Sequence, residues 1–193
     1  MLEKIISIDQ QVLIYLNNLN TPALDSFFLI ITHWWYLVPI FAYVFYLIIQ
    51  KIGWKQFALV VVVMALLILF TDQSTNLVKK TVERLRPCNE PGVKEFLHSI
   101  ITRQSFSFFS GHASNSMATT LFIFLLMRKY YDKYFLYLLF LFPLLFAYSR
   151  IYLGLHYPLD ILTGYAFGAF TGFIFYKLYA YLSKKYFAKQ AGY

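Results

Sequence analysis

The chain has 193 residues, 60% of them hydrophobic, 21% aromatic and only 13% charged, with a net charge of +8. Soluble domains are about 45–50% apolar and about 25% charged, so this composition excludes an ordinary soluble domain and points to a membrane protein. No polar domain is present to carry a nucleic-acid face, so anionic lipid headgroups are the expected counter-charge and no nucleic-acid partner is expected.

In chain order, Asp9, Gln10 and Gln11 interrupt any signal-peptide core. Ile5, Ile6, Ile8, Val12, Leu13 and Leu16 recur in a mostly helical rhythm against Asp9, Gln10 and Asn17, which predicts an interfacial amphipathic helix over 5–16. The polar run 17–22, ending in Pro22, breaks it. Five apolar stretches follow, at 27–50, 56–78, 112–127, 134–148 and 158–182. At 1.5 Å per residue the long ones cross a hydrocarbon core of about 30 Å, and the third and fourth start or finish in the interface. No barrel-like alternation occurs, so all five are expected to be helices, with kinks at Pro39 and Pro143. The expected fold is an all-α integral membrane bundle of about five transmembrane helices plus the N-terminal interfacial helix, in a single domain over 1–193.

The connections 51–55 and 128–133 and the tail 184–189 hold eight Lys/Arg and one acid, Asp132, which assigns them to the cytoplasm. The other side also holds eight basic residues, but Lys79, Arg86 and Arg150 belong to a candidate site there and most acids accompany them. The connection 79–111 is expected to cap that site, with a turn at 88–92 and a short helix near 96–101. Cys88, the sole cysteine, excludes an intramolecular disulfide and a paired-cysteine metal site, and in the cap it offers a labelling probe. His33 and His98 read as local hydrogen-bonding residues, with His98 and Arg103 within reach of a headgroup, and Trp34 and Trp35 as interfacial anchors.

Two periodicities mark the spans. Asp72, Asn76, Lys79, Glu83 and Arg86 form one stripe if their helix continues, and Asp72 needs a partner there, a site cation or a hydroxyl. Asp160, Gly164, Gly168 and Gly172 lie four residues apart, as a close helix contact requires.

The polar clusters fall at the ends of the spans: Lys79 with Arg86-Pro87, then Ser110-Gly111-His112, then Ser149-Arg150 with His156 and Asp160. Taken singly, Lys79 and Arg86 read as interfacial anchors and His112 as a helix-start residue. Together they place three cations, two imidazoles and a carboxylate on one membrane face, an inventory suited to gripping and breaking a phosphate ester. Lys79, Arg86 and Arg150 suit an anion whose charge grows during transfer. The Ser110 hydroxyl and the amides of Gly111 and His112 sit at a helix N-terminus, where an anion binds.

Lys79-x6-Arg86-Pro87, Ser110-Gly111-His112 and Ser149-Arg150-x5-His156-x3-Asp160 resemble the three-part signature of the type 2 phosphatidic acid phosphatase superfamily, over roughly residues 70–165. One departure is Phe109, where that family usually has proline before Ser-Gly-His. The resemblance implies His156 as nucleophile forming a phosphohistidine, Asp160 orienting its ring, and His112 protonating the leaving group and then activating water. It implies an enzyme of a bacterial inner membrane, with its site facing the periplasm or exterior. The expected substrate is undecaprenyl diphosphate, with phosphatidylglycerol phosphate, phosphatidic acid and lipid A phosphates as alternatives. A vanadate-dependent haloperoxidase shares such a histidine site, but those relatives are soluble and much larger. A lipid transporter is the non-enzyme alternative; it would release no phosphate. No metal and no cofactor are expected, so phosphate release should survive excess EDTA. Complete loss, restored by one specific divalent ion, would contradict this chemistry.

Overall fold

The computed structural model describes residues 2–32 and 34–187, and all regular structure among them is helical. The helices are α1 (Leu2–Asn17), α2 (Pro22–Thr32), α3 (Val38–Val82), α4 (Gly111–Met127), α5 (Lys133–Tyr137), α6 (Leu141–Tyr152) and α7 (Pro158–Phe187). The readings of His33, of the Trp34 side chain and of the tail beyond residue 187 lie outside the described residues.

Helix α3 folds back on itself at Gly53, whose φ of 75° and ψ of 166° break the helix. A straight helix would hold residues 45 and 57 about 18 Å apart. The rings of Phe45 and Phe57 instead lie 5.5 Å apart, and Phe41, Phe45, Met64 and Ile68 line one cavity, so the arms 38–52 and 54–82 run antiparallel. Glycine suits this reversal because a side chain at positive φ is strained. The two arms, α4, α5 with α6, and α7 make the five rods expected, but the first is shorter than predicted. Residues 27–32 belong to α2, and the arm begins at Val38. Pro39 sits in the first turn of α3, where its missing N–H costs nothing, so it starts the helix instead of kinking it. Pro143 follows a 3-10 turn over Leu138–Phe140 that separates α5 from α6, the break a helix-interior proline enforces.

Helices α4 and α7 are the closest pair. A Cβ on Gly164, Gly168 or Gly172 would stand 2.7, 2.3 or 2.5 Å from the carbonyl oxygens of Ser110, Ser114 and Ala118, so only glycine allows the backbones this near. The glycine stripe is thus an intramolecular seam that fixes the start of α4 against the start of α7. At the opposite end of the bundle the basic connections meet. Lys51 Nζ lies 5.2 Å from the Tyr131 ring centre, and Gln56, Lys129 and Lys184 line one cavity.

Three expectations change. Helix α1 is inverted relative to an amphipathic surface helix: Asp9, Leu13 and Asn17 are buried, while Ile5, Ile8, Val12 and Tyr15 are exposed. The Asn17 carboxamide donates to Tyr152 O (2.6 Å) and accepts from the His98 amide (2.7 Å), tying α1 to the cap and to α6. Second, α3 ends at Val82 with Glu83 in the left-handed region (φ 52°), so Arg86 leaves the polar stripe. Asp72 is met by the Asn115 carboxamide, whose Nδ2 donates to Oδ1 at 2.6 Å, and not by a cation or hydroxyl. Third, the short helix expected near 96–101 does not form; the cap instead holds two 3-10 turns, Pro87–Asn89 and Lys94–Phe96, and Cys88 in the first of them is buried, its amide donating to Gly154 O at 3.1 Å. Cys88 therefore cannot serve as a surface probe. His98 hydrogen-bonds as expected, but over long range and not locally, its Nε2 lying 3.1 Å from Asp25 Oδ1, 73 residues away.

Candidate active site

The turn between α6 and α7 builds the centre. Gly154, at φ 67°, reverses the chain, and the amides of Leu155 and His156 both donate to Arg150 O, at 2.9 and 3.3 Å. Asp160 is the third residue of α7, and its Oδ2 accepts from the Tyr157 amide at 3.0 Å, the reach-back of a capping box. The same Oδ2 lies 3.3 Å from His156 Nδ1. On the other side of the ring, Arg86 Nη1 lies 3.1 Å from His156 Nε2. A guanidinium can only donate, so Nε2 carries the lone pair and Nδ1 the proton shared with Asp160. Burial drives the imidazole pKa down to about 4, the Asp160 hydrogen bond pulling the other way, so the ring is neutral at physiological pH. Asp160 and His156 are fully enclosed, at 0% and 1% exposure.

Arg86 is fixed by Ser105, to whose carbonyl and hydroxyl its Nε donates at 2.9 and 3.1 Å, and by Leu155 O, to which Nη1 donates at 2.9 Å. Arg150 is buried in α6; its Nη2 donates to Thr32 Oγ1 at 2.9 Å and its guanidinium lies 5.2 Å from the Phe146 ring centre. Its Nε is buried with no partner among the described residues, as is the hydroxyl of Thr75. A buried, unmatched guanidinium N–H is costly, and an oxyanion would satisfy it. Lys79 makes no ion pair with any described residue and lines a pocket of about 340 Å³ with Thr75, Asn76, Gly111, His112 and Phe146.

Helix α4 supplies the opposite wall. Ser110 caps it, its hydroxyl accepting from the Ala113 amide at 3.4 Å and its own amide donating to Asp160 O at 3.0 Å. That leaves the first-turn amides of Gly111 and His112 without intrahelical acceptors. His112 stands against Phe146, ring centres 5.2 Å apart, within electrostatic range of Arg150, His156 and Lys79. Phe109 packs on Phe167 of α7, 5.1 Å between centres, so an aromatic anchor occupies the usual proline position. Ser149 is turned away, donating to Phe146 O at 2.6 Å. The structure thus brings Lys79, Arg86, Ser110, Gly111, His112, Arg150, His156 and Asp160 to one end of the bundle.

Two residues escaped the sequence reading. Arg84 Nη1 donates to Asp160 Oδ1 at 2.9 Å, Nη2 donates to Asp9 Oδ2 at 2.7 Å, and the guanidinium lies 3.7 Å from the Tyr157 ring centre. Asp9 Oδ1 in turn accepts from the Leu159 amide at the start of α7 at 2.9 Å. The signals were an arginine two residues before Arg86 and an acid in the middle of α1, neither of which names its partner.

Comparison with known proteins places this arrangement. The pattern of the PAP2 superfamily matches residues 56–184. The chain belongs to the PAP2 superfamily. It is 35% identical over 180 residues to a lipid A 4'-phosphatase of Bacteroides thetaiotaomicron, covering 91% of this chain and 79% of that one. A lipid A 4'-phosphatase of Porphyromonas gingivalis is 29% identical over 189 residues, covering 96% and 78%. Among solved structures, a transmembrane PAP2 type phosphatidylglycerolphosphate phosphatase from Bacillus subtilis superposes with a TM-score of 0.73 at 22% identity, covering 95% of this chain and 89% of that one. Aquifex aeolicus LpxE gives 0.65 at 22% identity, covering 86% and 93%. At that identity the two structures bear on the fold alone. This PAP2 protein is a membrane lipid phosphatase.

Proposed function

We propose that this PAP2 phosphatase removes a phosphate from the sugar headgroup of a lipid A-type glycolipid, through a phosphohistidine on His156, at the extracytoplasmic face of a bacterial inner membrane. The observation that carries the substrate is the 35% identity, across 91% of the chain, to a lipid A 4'-phosphatase. Undecaprenyl diphosphate, the first expectation from the sequence, has no support among these relatives and gives way to the lipid A alternative.

The lone pair on His156 Nε2 attacks phosphorus, a P–N bond forms and the P–O ester bond breaks. Arg86, Arg150 and Lys79 and the amides of Gly111 and His112 hold the transferring oxygens as their charge grows. His112, protonated by the incoming phosphate monoanion, gives that proton to the leaving sugar oxygen. It then takes one from the water that attacks the phosphohistidine, releasing inorganic phosphate and restoring neutral His156. Asp160 stabilises the charge that His156 carries while bonded to phosphorus.

Purified protein should hydrolyse lipid A in detergent micelles with kcat/KM about tenfold or more above phosphatidylglycerol phosphate, phosphatidic acid and undecaprenyl diphosphate. An equal or higher value for undecaprenyl diphosphate would overturn the substrate reading.

The proposed sidedness is supported by the basic connections gathered at the end away from the site. In a Cys88→Ser background, Phe96→Cys, on an exposed cap residue, should react with an impermeant maleimide in spheroplasts, and Lys133→Cys only after lysis. The reverse pattern would move hydrolysis to the cytoplasmic leaflet.

A further inference from the structure

Beside the phosphate pocket lies a second, larger cleft of about 590 Å³, and Asn76 and Lys79 line both. We propose that this second cleft is a carbohydrate subsite that holds the sugar headgroup of the substrate while its phosphate occupies the neighbouring pocket; the inference rests on the glycolipid reading above.

Its lining carries four carboxamides, Gln73, Asn76, Asn89 and Gln104, with Lys80 and the Phe106 ring. A carboxamide offers two donors and an acceptor, which matches the paired donor and acceptor character of neighbouring sugar hydroxyls and acylamino groups. An aromatic ring suits the apolar C–H face of a sugar, and Lys80 adds a cation for a second anionic substituent. The volume falls within the range of about 300–1,000 Å³ typical of sites that enclose a small organic ligand. A glycerol phosphate would leave most of the cleft empty.

The position of these amides is the second argument. Gln73 and Asn76 project from the membrane-spanning arm 54–82, yet neither they nor Gln104 hydrogen-bond to any described residue. Carboxamides at that depth are costly against lipid unless water or a ligand meets them. Asn89 differs: its Nδ2 donates to Arg103 O at 2.8 Å, which fixes the orientation of its amide within the lining. Because Asn76 and Lys79 line both spaces, a phosphorylated sugar can place its phosphate in one and its ring in the other within reach of the same ammonium.

The test measures kcat/KM of the full-length protein in one micelle system for lipid A and for phosphatidic acid, comparing wild type with Gln73→Leu, Gln104→Leu and the double variant. The readout is the ratio of the two values, which is insensitive to the fraction of each preparation that folds. The double variant should lower the ratio by about tenfold or more, chiefly through KM for lipid A. A wild type that prefers lipid A, with a ratio unchanged in the double variant, overturns the subsite and leaves the proposed function standing. A wild type that turns over phosphatidic acid but not lipid A overturns both.

Discussion

His156→Ala is expected to lower turnover on the order of 10⁴-fold or more with every substrate, whereas the loss in His112→Ala should depend on the leaving group. The difference follows from where each ring stands. His156 is enclosed, neutral and oriented, with Nδ1 on Asp160 and Nε2 at Arg86, so it presents its lone pair at the cations. His112 lines the open pocket at the start of α4, where a departing oxygen needs a proton. A sugar or alkyl ester leaves as a strongly basic alkoxide, while an aryl phosphate with an acidic phenol leaves unaided. His112→Ala should therefore be severely slowed on lipid A, yet should show rapid phenol release from such an ester in a single turnover, followed by slow dephosphorylation. Steady-state and single-turnover kinetics on both substrates check this. Equal impairment of His112→Ala in single-turnover phenol release and in lipid hydrolysis would remove the acid role.

The second large effect concerns Arg84, which touches no reacting atom in the mechanism above. It holds Asp160 Oδ1 and Asp9 Oδ2 at once, and those two side chains are 0% and 1% exposed against 20% for its own. Arg84→Met would leave two enclosed carboxylates without their shared cation, at a cost of about 3–5 kcal/mol for breaking a buried pair. Asp160 would then be free to protonate or turn, and His156 would lose the partner that fixes its tautomer. The expected kinetic result is a fall in kcat of about 10–100-fold with little change in KM, as for residues that orient a reacting group. Arg84→Lys, keeping one charge but not the fork to both carboxylates, should recover part of the thermal stability and less of kcat. Thermal unfolding in detergent alongside steady-state kinetics separates the two. A rise in KM with kcat intact would show instead that Arg84 contacts the substrate.

Those two residues also mark where sequence reading stops. The eight signature residues could be picked out through their resemblance to a family signature, and phosphate chemistry and the membrane give a reason for their types at helix ends. Arg84 sat inside the same motif as one of six unspecified positions, and its partners lie 75 and 76 residues away. Helix α1 was read inside out for a physical reason. In lipid both the exposed and the buried faces tolerate apolar side chains, so Ile5, Ile8 and Val12 no longer announce the inward face. The inward face is the one that carries Asp9, Leu13 and Asn17, because only protein can satisfy a carboxylate and a carboxamide there. The hairpin of α3 was hidden similarly: hydropathy marked two stretches, but only the backbone at Gly53 shows how abruptly one returns along the other. The glycine stripe of α7 was legible, since four-residue spacing has one close-packed meaning.

The covalent step tests the whole account most directly. Lipid A carrying a radiolabelled phosphate should be mixed with excess wild-type protein, quenched on a millisecond scale in alkali, and the labelled protein digested and mapped. A transient label that survives base and is lost in acid is expected on His156, and it should be absent in His156→Ala. A label of that kind persisting in His156→Ala, or full phosphate release from lipid A by His156→Ala with no label at any time, would contradict it.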